Sequence, residues 1–214
     1  MTQRRPLLIA LGLLVVGALL WSGLAPYDRG TWVLEVAPAV IAAPVLLATG
    51  RRYPLTTLLY VLIALHMLVL ILGGAYTYAR VPLGFWMQEA LHLGRNPYDR
   101  IGHLMQGLVP AMVARELLLQ RAYLTSRRMT AFLSVCVAMA ISAVYELLEW
   151  WAALALGQGA DQFLGTQGDP WDTQSDMFMA LIGATLAMVL LARWHDRQMR
   201  VLAGAWPTSA SRVS

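Results

Sequence analysis

The sequence predicts an all-α polytopic membrane protein, a six-helix transmembrane bundle with both termini cytoplasmic. Three observations carry that expectation. Of 214 residues, 58% are hydrophobic and only 13% are charged, whereas soluble domains carry about a quarter charged residues. The apolar residues gather into six runs, each long enough to cross roughly 30 Å of hydrocarbon as helix. The basic residues, all of them arginine, are shared unevenly between the two sets of ends of those runs.

The first run, Leu7–Leu24, follows a basic start in "MTQRRPLLIALGLLVVGALLWSGLAPYDRG". It is longer than the apolar region of a secretory signal, and Pro26 follows the small residue where cleavage would fall, so it is expected as a retained span. The second run, Trp32–Ala48, contains Pro38 and Pro44; the third is Leu55–Gly73. Between the third and fourth, "RVPLGFWMQEALHLGRNPYD" is too polar to cross and too apolar for a simple loop. Phe85, Trp86, Ala90, Leu91 and Leu93 suit either a short interfacial helix or an ordinary structured loop. The fourth run is Ile101–Leu119, containing Pro110; the fifth is Thr130–Trp151 and the sixth Asp176–Ala192. Helix is expected throughout, because lipid cannot satisfy an unpaired backbone amide and no barrel-like alternation is present. The internal prolines predict local kinks. Residues 1–202 read as one six-span domain and 203–214 as a flexible cytoplasmic tail.

Arginine then orients the bundle. Arg4, Arg5, Arg51, Arg52, Arg121, Arg127, Arg128, Arg193, Arg197, Arg200 and Arg212 make eleven at one set of ends, against Arg29, Arg80, Arg95 and Arg100, four, at the other. The positive-inside rule places the first set in the cytoplasm. Trp21, Trp32, Trp86, Trp150, Trp151 and Trp171 form an interfacial belt on the opposite side. The pI near 9.6 does not indicate nucleic acid, since the arginines stand singly or in pairs between apolar runs. A single cysteine, Cys136, excludes an intrachain disulfide.

Against this apolar background the acids are concentrated. "GADQFLGTQGDPWDTQSDMFMALIGA" sets Asp161, Asp169, Asp172 and Asp176 ahead of the last run, with no basic residue among them. The fourth run opens "YDRIGHLMQGLVP", where Asp99, His103 and Gln106 share a helical face. The fifth ends "SAVYELLEWW", where Ser142, Glu146 and Glu149 do the same. In a six-span topology these groups reach one outer depth. Ionisable residues within spans cost about 2.5–3.5 kcal/mol each on insertion scales and normally face a bundle interior or a water cavity. Carboxylates crowded there require a proton, an arginine or a metal ion; Arg100 is the nearest arginine, although helical spacing turns it away from the Asp99–His103 face.

Three chemistries remain open. His103, Glu146, Glu149, Asp172 and Asp176 are candidate acid/base or ligand residues of a catalytic site. Asp99, Gln106, Asp161 and Asp169 are candidates for substrate binding. His103, Glu146, Glu149 and Asp176 are candidate ligands of a divalent metal ion, the cofactor that such a donor set suits. Against these stands a hydrogen-bonded network in which Asp172 merely caps the last helix. Elsewhere, His66 reads as a satisfied packing residue, Glu116 with Arg115 as an interfacial pair, and His195 as a solvated tail residue. Glu35 could join the cluster or reach the interface, and His92 could line its mouth. Ala180, Gly183 and Ala184 suit close helix packing.

The motifs "YDRIGHLMQGLVPAMVARELL", "SAVYELLEWW" and "ADQFLGTQGDPWDTQSDMFMALIGA" resemble the YjdF-type bacterial inner-membrane proteins, over nearly the whole chain. That resemblance implies a multi-pass protein of the cytoplasmic membrane and supplies no reaction. A fainter similarity reaches the VanZ-like proteins, with Asp99, His103, Glu146, Asp172 and Asp176 in the places of their polar residues; it implies a shared polar site at the outer face. The expected partners are the bilayer and a lipid-linked or envelope substrate. The competing classes are a proton- or cation-coupled permease, which needs a polar track continuing inward past Pro110, and a non-catalytic accessory protein.

Overall fold

A computed structural model describes residues 4–156 and 166–205. Every regular element among them is helical. In order they are α1 (Arg4–Leu24), α2 (Arg29–Thr49), α3 (Thr57–Tyr76), α4 (Pro82–Ala90), α5 (Tyr98–Gln120), α6 (Arg127–Leu156) and α7 (Asp172–Leu186); a π-helical stretch, Ala187–Leu191, then leads into α8 (Ala192–Ala205). Asp161, and the tail beyond residue 205, lie outside the described residues.

Local chemistry explains several boundaries. Asp28 caps α2, its carboxylate accepting the Thr31 amide at 2.7 Å, which satisfies one of the unpaired amides of a first helical turn. Thr56 caps α3, and Thr77 ends that helix in the left-handed conformation, φ 57°. Pro38 and Pro44 lie within α2 and Pro110 within α5. The segment after α3 resolves as a helix rather than a loop: α4 starts on Pro82, favoured in a first turn, and leaves Phe85 and Trp86 exposed.

Five helical stretches are long and apolar enough to cross a membrane: Arg4–Leu24, Arg29–Thr49, Thr57–Tyr76, Arg127–Ala155 and Asp172–Leu202. Their outer surfaces expose large apolar side chains, such as Leu13 and Leu47, as a lipid-facing surface would. Helix α5, at 23 residues, has the length but carries Asp99, Arg100, His103, Arg115 and Glu116. It sits centrally, packed against α3, α6 and α7, so its surroundings are largely protein.

The tightest seam joins α5 to α7. A Cβ on Gly107 would lie 2.7 Å from the Ala180 Cα, and one on Gly183 only 2.9 Å from the Leu104 carbonyl carbon. Ala180 and Ala184 are fully buried there, as the run of small residues led one to expect. This approach brings Asp176 on α7 up against His103 on α5.

The last helix departs from expectation. The π turn lets the chain remain helical past Ala192, so His195 and Asp196 fold back into the bundle. His195 is fully buried rather than solvated. Its Nε2 lies 2.7 Å from Glu116 Oε2, and its Nδ1 lies 2.7 Å from Arg115 Nη1. Arginine can only donate, so Nδ1 accepts, and a neutral imidazole donates from Nε2 to Glu116. Glu116 also accepts from the Thr56 amide and hydroxyl, both at 2.7 Å, and from Gln120 at 2.6 Å. Arg115 reaches Asp196 at 2.6 Å, and Arg127 pairs with the other Asp196 oxygen. The expected Arg115–Glu116 interfacial pair is thus part of a saturated, buried network that closes the arginine-rich end of the bundle.

Candidate functional site

At the opposite end α5 and α7 begin and α6 finishes, and there the ionisable residues converge on His103. This side chain is almost fully buried. Its Nδ1 lies 3.0 Å from Gln106 Oε1, one turn along α5. Its Nε2 faces Asp99 Oδ1 at 3.6 Å and Asp176 Oδ2 at 3.8 Å, while Glu146 Oε1 approaches Nδ1 at 3.7 Å. Three helices therefore supply one cluster. Glu146, Asp172 and Asp176 are each at least nine-tenths buried.

The cluster has two sides, which helical spacing alone does not reveal. One donor atom each from Asp99, His103 and Asp176 lies within 4.8 Å of the other two. Glu146 stands on the other edge of the ring. Glu149 lines a cavity together with Tyr145, one turn earlier on α6. The Tyr145 ring meets His103 edge-on, and its hydroxyl donates to Glu35 Oε2 at 3.2 Å. Glu35, 4% exposed, thereby joins the site.

Asp172 does not cap α7, because Trp171 occupies the cap position without a side-chain hydrogen bond. The Asp172 carboxylate instead pairs with Arg95 at 2.5 Å. Arg95 is the counter-ion that the sequence reading missed, since it stands in the loop ahead of α5, outside any periodic pattern. Its burial opposes the charge, but donation to the Asp172 carboxylate and the attraction of the other nearby carboxylates outweigh that and raise its pKa. Asp169 lies outside the His103 cluster, 3.8 Å from Arg95 and 3.7 Å from Arg100, so Arg100 does turn away from the Asp99–His103 face. Asn96 and Gln167 exchange hydrogen bonds of 3.1 and 3.0 Å across the same junction, and Arg95 donates to the Thr166 carbonyl at 2.7 Å. These contacts fix the loop ahead of α7 to the start of α5.

A cavity of about 370 Å³ leads from this cluster into the bundle, within the usual range of small-molecule sites. Glu35, Asp99, His103, Gln106, Tyr145 and Glu149 form its polar end. Beyond Gln106 the lining becomes apolar, with Ala42, Leu46, Leu55, Ile63, Val109 and Val113. Its walls come from α2, α3, α5 and α6; of these, α2 and α6 do not pack closely on one another and meet through the Tyr145–Glu35 hydrogen bond. His66 borders the cavity too, and its buried Nε2 has no hydrogen-bond partner, so it is not the satisfied packing residue expected. His92, in left-handed conformation at φ 52°, follows α4 and is exposed.

The model of the family described as Predicted membrane protein (DUF2238) matches residues 7–197. Inner membrane protein YjdF of Escherichia coli (strain K12) is 62% identical over 182 residues, covering 85% of this chain and 87% of the relative. No solved structure matches the chain significantly. The chain therefore belongs to the DUF2238 family of predicted membrane proteins and is a multi-pass protein of the inner membrane.

Proposed function

We propose that the protein acts on a lipid-linked envelope substrate, whose hydrocarbon occupies the apolar groove and whose polar head meets the His103 cluster. In this reading α5 is a sixth crossing, residues 1–202 are one domain, and the cluster opens on the side away from the cytoplasm. The arginine asymmetry supports that orientation. His103 serves as base or ligand, Glu146 and Glu149 as acid/base groups or ligands, and Asp172 and Asp176 as ligands or orienting groups.

The observation that carries the proposal is one cavity joining a buried histidine–carboxylate cluster to an apolar wall between two loosely associated helices. A water-soluble substrate has no use for such a wall, whereas a bilayer lipid can enter sideways. The same lining speaks against a proton or cation path: among the described residues, no titratable group lines the cavity beyond His66 and Gln106.

Photo-crosslinking tests it. Detergent-purified protein should capture a diazirine-tagged prenyl phosphate or diacyl phospholipid, and Ala42→Trp should cut capture several-fold by filling the groove. Leu47→Trp, on the exposed face of α2, should leave it unchanged. Equal capture by wild type and Ala42→Trp would remove the groove from consideration. Orientation is checked by Glu89→Cys in a Cys136→Ser background, which should react with an impermeant maleimide added from the periplasmic side. Reaction only from the cytosol would reverse the topology.

A further inference from the structure

We propose that Asp99, His103 and Asp176 bind a divalent transition-metal ion of the zinc, manganese or iron class, through His103 Nε2 and one oxygen of each carboxylate. The inference deepens the functional reading above, resting on it only for what the ion would act upon.

The geometry comes first. His103 Nε2 lies 3.6 Å from Asp99 and 3.8 Å from Asp176. A tetrahedral ion with bonds of about 2.0–2.1 Å sets its donors about 3.3 Å apart; each carboxylate is within a few tenths of an ångström of that spacing from Nε2, and the three donor atoms lie within 4.8 Å of one another. Gln106 fixes the ring: its Oε1 at 3.0 Å accepts the Nδ1 proton, which leaves the Nε2 lone pair directed at the two carboxylates. A second group holding the far nitrogen is the usual support of a metal-bound histidine. A proton on Nε2 would reach neither carboxylate within hydrogen-bond distance, whereas one ion held between them engages both.

Charge makes the same demand independently. Asp176 is 2% exposed, and its Oδ1 has no hydrogen-bond partner among the described residues. Arginine does not compensate it, since Arg95 is engaged by Asp172 and Arg100 by Asp169. A buried carboxylate left without a partner is strongly unfavourable. One divalent ion neutralises Asp99 and Asp176 together.

The donors also choose the ion. One imidazole with two carboxylates suits zinc, manganese or iron; magnesium and calcium prefer all-oxygen shells, and copper(I) prefers sulfur. The one thiol, Cys136, is exposed on α6. Asp99 and His103 both line the cavity, so further coordination positions face the groove, as in a catalytic rather than a structural site. Glu146, on the Nδ1 edge, stands outside this ligand set and free to handle a proton.

The test uses full-length protein, purified in detergent, stripped with chelator and titrated with zinc, manganese and cobalt(II). Wild type should take up about one ion per chain, with cobalt giving visible ligand-field bands. Asp99→Asn and Asp176→Asn should lose uptake, and Gln106→Leu should weaken it about 10–100-fold. Glu89→Gln, in α4, should bind as wild type does. X-ray absorption of the wild-type complex decides even where a variant fails to fold: one imidazole nitrogen with oxygen donors is expected. No uptake by wild type, a shell lacking imidazole, or undiminished binding by both aspartate variants would overturn the assignment. Protein that takes up no metal yet captures the lipid probe would sink the metal alone; metal-loaded protein that captures none would sink only the lipid reading.

Discussion

Gly183→Ala adds one methyl group at the α5–α7 seam. Its Cβ would sit 2.9 Å from the Leu104 carbonyl carbon and 3.0 Å from the Leu108 nitrogen, with the Leu104 oxygen nearer still. All are backbone atoms, so no side chain can swing aside and the helices themselves must part. Carbon contacts are comfortable at about 3.5–4.0 Å, which implies a separation of roughly 0.6 Å or more. Overpacking of this kind costs about 1–3 kcal/mol. In a chain of this size each kcal/mol lowers Tm by about 2–4 °C, so a fall of several degrees is expected. Asp176 lies two turns before Gly183 on the same helix, and His103 adjoins Leu104, so the 3.8 Å His103–Asp176 separation should widen and metal uptake weaken with it. The assay is tryptophan-monitored thermal unfolding in detergent, with Gly12→Ala as control. Gly12, in α1, has open space around it, and alanine there should be neutral or stabilising by up to about 1 kcal/mol. Equal melting of the two variants would refute close packing at this seam.

Glu116→Ala should cost about 1–3 kcal/mol or more, because it leaves the buried Thr56 and His195 donors and the Gln120 amide without their shared acceptor; urea or thermal unfolding measures it, and a loss well below about 1 kcal/mol would class the network as solvent-screened. Nitrogen NMR of labelled His195 should find the ring proton on Nε2, and a proton on Nδ1 would contradict the Arg115 contact. Asp28→Ala should destabilise α2 by about 1 kcal/mol while Asp28→Asn retains most of the cap. The Thr31 amide holds the Asp28 carboxyl below its ordinary value of 3.8. The ionic part of that cap is therefore full above pH 3.8 and fades as pH falls through the lowered folded value. The stability gap between wild type and Asp28→Asn should stay constant above that range and change with pH only within it.

The helices were legible because length and apolarity are properties of one segment at a time. The apolar runs and the shared depth of His103, Glu146 and Asp176 could be read along the chain. Sequence alone also assembled most of the candidate site, because a buried charge in an apolar run costs energy wherever the run packs. What it could not determine was rotation and approach between helices. Whether Glu146 meets Nδ1 or Nε2 of His103, whether Asp99 stands with Asp176, and whether Arg95 reaches Asp172 depend on how closely Gly107 and Gly183 let α5 and α7 approach. His195 was misread for a related reason: hydropathy ends the last span near Ala192, but a π turn and the buried Arg115–Glu116 partners carry the helix onward. Tertiary structure alone decided these, since contact distances fall between segments and no periodicity within a segment encodes them.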